Sequence, residues 1–369
     1  MNRILIVILL SSFVIIFFLG LFIGVYKYFP YYELNNIKDQ FESKTFKLDN
    51  RPVDYINLDS MISIQNVNDL EEKRNQLIQF IWKTNNLPKQ LPIVDTKILD
   101  ERFNNFSNLK QIDRLTIEME HKLSSIVYVF SPENNNGDII LYHQGHSGGF
   151  INGKTTIQKF LDNGFTVAAF SMPLIGLNNQ PDIEIENLGT IKFFKHNQLI
   201  LLESENFSSM SYFFTPLSVT LNYLSNNYSF ENIHMVGISG GGWTTTVYPA
   251  LDNRITKSFS IAGSLPLSLR NVIDDVGDYE QYNPDFYSIA NYLDIYIMSS
   301  SGSNREHIQI FNKYDPCCFA GENTYYTHDS IQQSISPFYS GKFEIIIDET
   351  HNEHKISDSI IDFIIQKLD

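Results

Sequence analysis

Gly237-Ile238-Ser239-Gly240-Gly241 has the residue types and the spacing for nucleophilic catalysis. The residues before it, Asn232-Ile233-His234-Met235-Val236, read as a short buried strand, and those after it, from Gly242 to Tyr248, can start a helix. Strand, G-x-S-x-G and helix together make a nucleophile elbow. The turn is so tight that side chains two places either way from the serine would collide, and glycine fills both places. Such a turn lifts the Ser239 hydroxyl above the sheet edge. It also aims the backbone N–H of Gly240 at the point where an oxyanion would form.

A serine hydroxyl needs a base to become a nucleophile, and the base needs an acid to hold it. Asp315 follows the apolar strand His307–Phe311, so it stands at a strand's carboxyl end. His351 and His354 both follow the strand Phe343–Ile347 and precede the closing helix Ser357–Leu368. His354 is the expected base. Ser357 can cap the helix, which leaves His354 on a short loop fixed by the packing of Ile360, Ile361, Phe363 and Ile364. His351 is the alternative base, expected to be exposed or to shape the loop. His143-Gln144-Gly145-His146-Ser147-Gly148-Gly149 follows the strand Asp138–Tyr142, and Gly145 or His146 is the expected second oxyanion donor. His-x-x-His with no cysteine or carboxylate cluster nearby is a weak sign of zinc, so neither a metal nor a cofactor is expected. Cys317 and Cys318 are adjacent. Neighbouring cysteines rarely bridge, and these two are expected to pack as small apolar residues.

The elements that must position these residues follow a βα rhythm. Leu70, Leu77, Ile78 and Ile81 share one face of a helix over Asp69–Trp82. Ile112–Glu120 alternates as an antiparallel strand does, and Ile126–Phe130 is a second strand. The strand Asp138–Tyr142, the helix around Ile157–Leu161 closed by Gly164, and the strand Phe165–Phe170 come next. A helix over Leu217–Leu224, the elbow, and the strand Ile255–Ala262 follow. Alternation of this kind predicts a mostly parallel sheet covered by helices on both faces, with ligands at the carboxyl ends of its strands. Two long intervals, about 175–212 and 264–303, leave from strand ends and can roof the site.

The chain has 369 residues, of which 43% are hydrophobic and 19% charged, enough for a sizeable core. Its net charge of −15 argues against nucleic acid as a partner. Ile4 to Tyr26 carries no charge. As a helix it would span roughly 34 Å, enough for a bilayer core. Lys27, Tyr28, Phe29, Tyr31 and Tyr32 follow like an interfacial anchor. The expected organisation is a transmembrane anchor over 1–27, a linker and extension packing on the core over 28–110, and a catalytic domain over 111–369. The expected place is a single-pass membrane site of either orientation.

Tyr142-His143-Gln144-Gly145, Gly164-Phe165-Thr166-Val167, the elbow, Asp252-Asn253-Arg254-Ile255, Asp315 and His354 together resemble the α/β-hydrolase serine esterases. The resemblance is to the broad group of acetyl xylan esterases, dienelactone hydrolases and prolyl oligopeptidase catalytic domains, over roughly 110 to 369. It implies an α/β-hydrolase fold and a triad in the chain order Ser239, Asp315, His354. It also implies a carboxylic ester as substrate, whether small-molecule, carbohydrate or lipid. The usual His-Gly pair is interrupted here as His143-Gln144-Gly145-His146. Two alternatives stand beside it: a peptidase or acyltransferase on the same triad, and a hydrolase fold used only for binding.

Overall fold

The computed structural model describes residues 12–21, 58–270, 276–319, 333 and 341–368. The chain divides into two units, Met1–Lys47 and Leu48–Asp369. In the first, residues 12–21 are helical and exposed. Most of the expected anchor, Ile4–Tyr26, and the aromatic residues after it lie outside the described residues. Among the described residues no helix is long and apolar enough to cross a membrane.

The second unit is built on a nine-stranded sheet in the order β1-β2-β3-β5-β4-β8-β9-β10-β11. The strands are β1 (Ile93–Asp95), β2 (Leu109–Glu118), β3 (Ser124–Pro132), β4 (Ile139–His143), β5 (Thr166–Phe170), β8 (Ile233–Ile238), β9 (Lys257–Ile261), β10 (Glu306–Asn312) and β11 (Lys342–Asp348). Pairing is antiparallel from β1 through β3 to β5, and parallel from β5 through β4, β8, β9 and β10 to β11. A separate hairpin, β6 (Asp182–Ile185) with β7 (Gly189–Lys192), lies in the first roofing interval.

Strands buried on both faces carry apolar side chains at successive positions, and this sheet does so. Ile139 and Leu141 of β4 face one core, while Ile140 and Tyr142 face the other. Helices α1 (Val67–Trp82), α3 (Ser211–Asn227), α4 (Gly240–Leu251) and α7 (Tyr292–Ser300) cover the first face. Helices α2 (Lys154–Asp162) and α8 (Asp358–Leu368) cover the second. The short α5 (Tyr279–Tyr282) and α6 (Pro284–Ile289) belong to the second roofing interval. On α1, Leu70, Leu77, Ile78 and Ile81 are buried as the spacing predicts, and Asn66 caps it by accepting from the N–H groups of Asn68 and Asp69. Each such side chain is worth roughly 1.5–3 kcal/mol of burial. Helix α3 begins at Ser211, not Leu217, and runs through Pro216, because Tyr212, Phe213 and Phe214 are buried.

Two histidines locked in the core give the fold an acid sensitivity. The His307 Nε2 accepts from Gln309 Nε2 at 2.7 Å and its Nδ1–H donates to Ser258 Oγ at 2.7 Å, so a second proton would set two donors face to face. Burial, with Arg305 nearby, holds His307 down at about 3, and burial holds His143 down at about 4. Unfolded histidine titrates near 6.5. Both folded values lie below that, so the stability these groups lend is complete above about pH 6.5. It is lost as pH falls, at about 1.4 kcal/mol per unit for each. The urea midpoint is therefore expected to drop between pH 6.5 and about 4.5. A midpoint constant across that window contradicts two buried neutral imidazoles.

Candidate active site

The carboxyl end of the sheet gathers the candidate residues. Ser239 sits between β8 and α4 at φ 58°, ψ −128°, a backbone region that non-glycine residues rarely enter. Its N–H donates to Ile261 O at 2.9 Å, which ties the turn to the next strand. A Cβ at Gly237 would run into Gly241 O, and one at Gly241 would run into His143 O. Both glycines of the motif are thus required by backbone packing. Within the run from Ile233 to Leu251, every residue is buried except Ser239. Local folding therefore leaves Ser239 half-buried in a long buried stretch, at the N-terminus of α4 where the first amides lack helical partners.

The loop after β4 lies directly against the elbow. A Cβ on Gly145 would come 3.0 Å from Ser239 Oγ and 2.8 Å from Ile238 O, so only glycine lets this backbone approach. Of the two histidines here, His143 is buried, stacks on Phe170 and bonds through Nδ1 to Gln144 O at 2.9 Å. The His146 ring lies over Gly240. Its Nε2 reaches Glu280 Oε1 at 2.9 Å.

Asp315 and His354 are brought together. The His354 Nδ1–H donates to Asp315 Oδ2 at 2.7 Å, because a carboxylate oxygen can only accept. The tautomer this fixes leaves a lone pair on Nε2, and that atom is buried with no hydrogen-bond partner among the described residues. Among the described residues no hydrogen bond joins Ser239 to it. Asp315 is itself tightly held. Its Oδ1 accepts the N–H groups of Cys317 and Cys318 at 2.8 and 3.2 Å, and its Oδ2 accepts Asn312 Nδ2 at 3.2 Å. Asn312 also donates to Lys355 O at 3.0 Å, which pins the loop just after His354.

His351 turns elsewhere. Its Nε2 is 3.2 Å from Asp348 Oδ2 and its Nδ1 accepts the Glu353 N–H at 3.1 Å. With a side chain only 7% exposed it is a loop-shaping residue rather than a solvated one. Ser357 caps α8 by accepting from Ile360 N at 3.2 Å and bonds to Asp348 on its other side. The cysteines depart from expectation. Cys317 and Cys318 are joined in a disulfide. Their sulfurs lie within 4.8 Å of a ring nitrogen of His354.

Sequence reasoning missed Asn312, whose only signal was its place one residue beyond the apolar part of β10. It also missed His196, Asp278 and Glu280, which come from the roofing intervals and close around His146. A surface cleft of about 680 Å³ among residues 81–90, 118–120 and 206–215 includes none of Ser239, Asp315 and His354.

No family model matches the chain, and no curated protein matches it in sequence. Solved structures do match it in fold. Acetyl xylan esterase 1 from Thermoanaerobacterium sp. JW/SL YS485 aligns with a TM-score of 0.55 at 14% identity, covering 81% of this chain and 92% of that one. An acetyl xylan esterase from Paenibacillus sp. R4 aligns with a TM-score of 0.52 at 12% identity, covering 82% and 91%. A methylesterase aligns with a TM-score of 0.54 at 13% identity, covering 84% and 65%. At these identities the likeness shows a shared fold, a mostly parallel sheet between helices.

Proposed function

We propose that the chain is a serine hydrolase of carboxylic esters. The observation that carries this reading is Ser239: a half-buried serine with a strained backbone on an otherwise buried elbow, with an imidazole–carboxylate pair held at the same end of the sheet. In the reaction, Ser239 Oγ attacks the acyl carbon while His354 Nε2 takes its proton. Asp315 holds the ring in the required tautomer and offsets the charge that forms on it. The tetrahedral oxyanion lies against the N–H of Gly240 and that of Gly145 or His146. His354 then returns the proton to the leaving alcohol, and water repeats the sequence on the acyl-enzyme.

Short acyl groups are the favoured substrates. Two of the solved structures that share the fold are named for acetyl esters of xylan, and Met172 closes in on Gly240 beside the serine. Nitrophenyl acetate, butyrate and octanoate, with a dipeptide nitroanilide, form the test. The acetate should give the highest kcat/KM and the amide no detectable turnover. Faster amide cleavage would move the reading to a peptidase. The apolar run Ile4–Tyr26 supports a membrane tether; release of the full chain by alkaline carbonate would contradict it.

A further inference from the structure

Three segments far apart in sequence converge beside the elbow. His146 comes from the loop after β4, His196 opens a short 3-10 turn in the first roofing interval, and Asp278 with Glu280 stands at α5 in the second. Their side-chain atoms nearly touch. His146 Nε2 is 2.9 Å from Glu280 Oε1, 3.1 Å from His196 Nδ1 and 3.2 Å from Asp278 Oδ2, and His196 Nδ1 is 3.1 Å from Glu280 Oε1. We propose that these four residues form a binding site for one divalent cation of the zinc type, which ties the oxyanion loop to both roofing intervals.

Protonation states argue for it. His196 Nε2 lies 2.9 Å from Pro173 O, and a carbonyl only accepts, so that nitrogen carries hydrogen. In the neutral ring, Nδ1 then presents a lone pair to a second imidazole nitrogen and to a carboxylate oxygen. Such a convergence of electron pairs favours a positive species, either a proton on one ring or a cation among the four residues. A proton lies along one line between two atoms, whereas a cation answers all of them at once. The Glu280 carboxylate is fully buried, and its second oxygen, Oε2, has no hydrogen-bond partner among the described residues. A buried carboxylate oxygen left unanswered is costly, and a cation supplies the charge that these hydrogen bonds leave short.

The geometry and chemistry fit one kind of ion. Zinc bonds of roughly 2.0–2.1 Å place the corners of a tetrahedron about 3.3 Å apart; four of the six separations here are 2.9–3.2 Å, and all lie within 4.8 Å. Two imidazoles with two carboxylates suit zinc and its neighbours, while calcium and magnesium take oxygen ligands. The His196 N–H held by a backbone carbonyl is the outer bond that metal-bound histidines make to fix their tautomer. Asp278, with a side chain 44% exposed, opens the site to solvent for loading.

The full chain, stripped with chelator and checked for folding by far-UV circular dichroism, is titrated with zinc against a chromophoric chelator. One equivalent should bind, and the thermal midpoint should rise with it. Glu280→Gln, which keeps the side chain's shape, and His196→Ala should each weaken zinc binding at least ~10-fold and remove the thermal shift. Ser239→Ala should bind zinc as the wild type does, so the site is judged apart from ester hydrolysis. A folded wild type that takes up no zinc, or a folded Glu280→Gln that binds it equally well, overturns the proposal.

Discussion

Ser239→Ala is expected to lower kcat for ester hydrolysis by at least ~10⁴-fold while leaving the fold intact. The nucleophile is the one atom whose loss removes the covalent step entirely, and in triad enzymes its deletion costs about as much as deletion of the whole set. What survives is the residual catalysis of the oxyanion donors and of binding. Alanine suits this position no worse than serine, since each carries a Cβ at φ 58°. The backbone bond from this residue's N–H to Ile261 O is independent of the side chain. Far-UV circular dichroism and the urea midpoint should therefore match the wild type. Steady-state rates on nitrophenyl acetate measure the effect, and a drop smaller than tenfold in folded protein contradicts the assignment of the nucleophile.

Between the two histidines of the last loop, the effects should differ by orders of magnitude. His354→Ala should cost at least ~10³-fold in kcat, in line with loss of a triad member. The His354 ring is the one bonded to Asp315, which fixes its tautomer and leaves the Nε2 lone pair for a proton. His351→Ala should cost less than about tenfold in turnover. Its Nδ1 accepts the Glu353 amide and its Nε2 stands 3.2 Å from Asp348 Oδ2, so its removal loosens the loop without removing the ring that Asp315 holds. The pair is compared at equal folded fraction, with kcat and KM separated. The reverse ranking would make His351 the base and leave Ser239 where it is.

The features legible in the sequence are those that local rules dictate. The elbow needs two glycines because backbone atoms crowd both positions, so the motif itself carries the geometry. Ser357 as helix cap and the apolar face of α1 follow from spacing within one turn or one face. Asp315 and His354 could be placed at strand ends, and the choice of His354 over His351 rested on the distance to a cap. Other features depend on contacts between distant parts of the chain. His146 and Glu280 are 134 positions apart and lie in polar stretches with no periodicity to reveal them. The β6–β7 hairpin belongs to a separate two-stranded sheet, so no alternation against the main core marks it. Pro216 reads as a helix boundary by its missing N–H, yet the burial of the aromatic residues before it carries α3 through.

Covalent labelling tests the central claim most directly. A fluorophosphonate probe reacts with a serine only when a base has activated it and an oxyanion site receives the phosphoryl oxygen. The wild-type chain should gain one adduct, mapped by peptide mass to the segment carrying Ser239. Ester substrate should slow that labelling, and Ser239→Ala should abolish it. A folded wild-type protein that takes no label, or one labelled at a serine other than Ser239, would contradict the account.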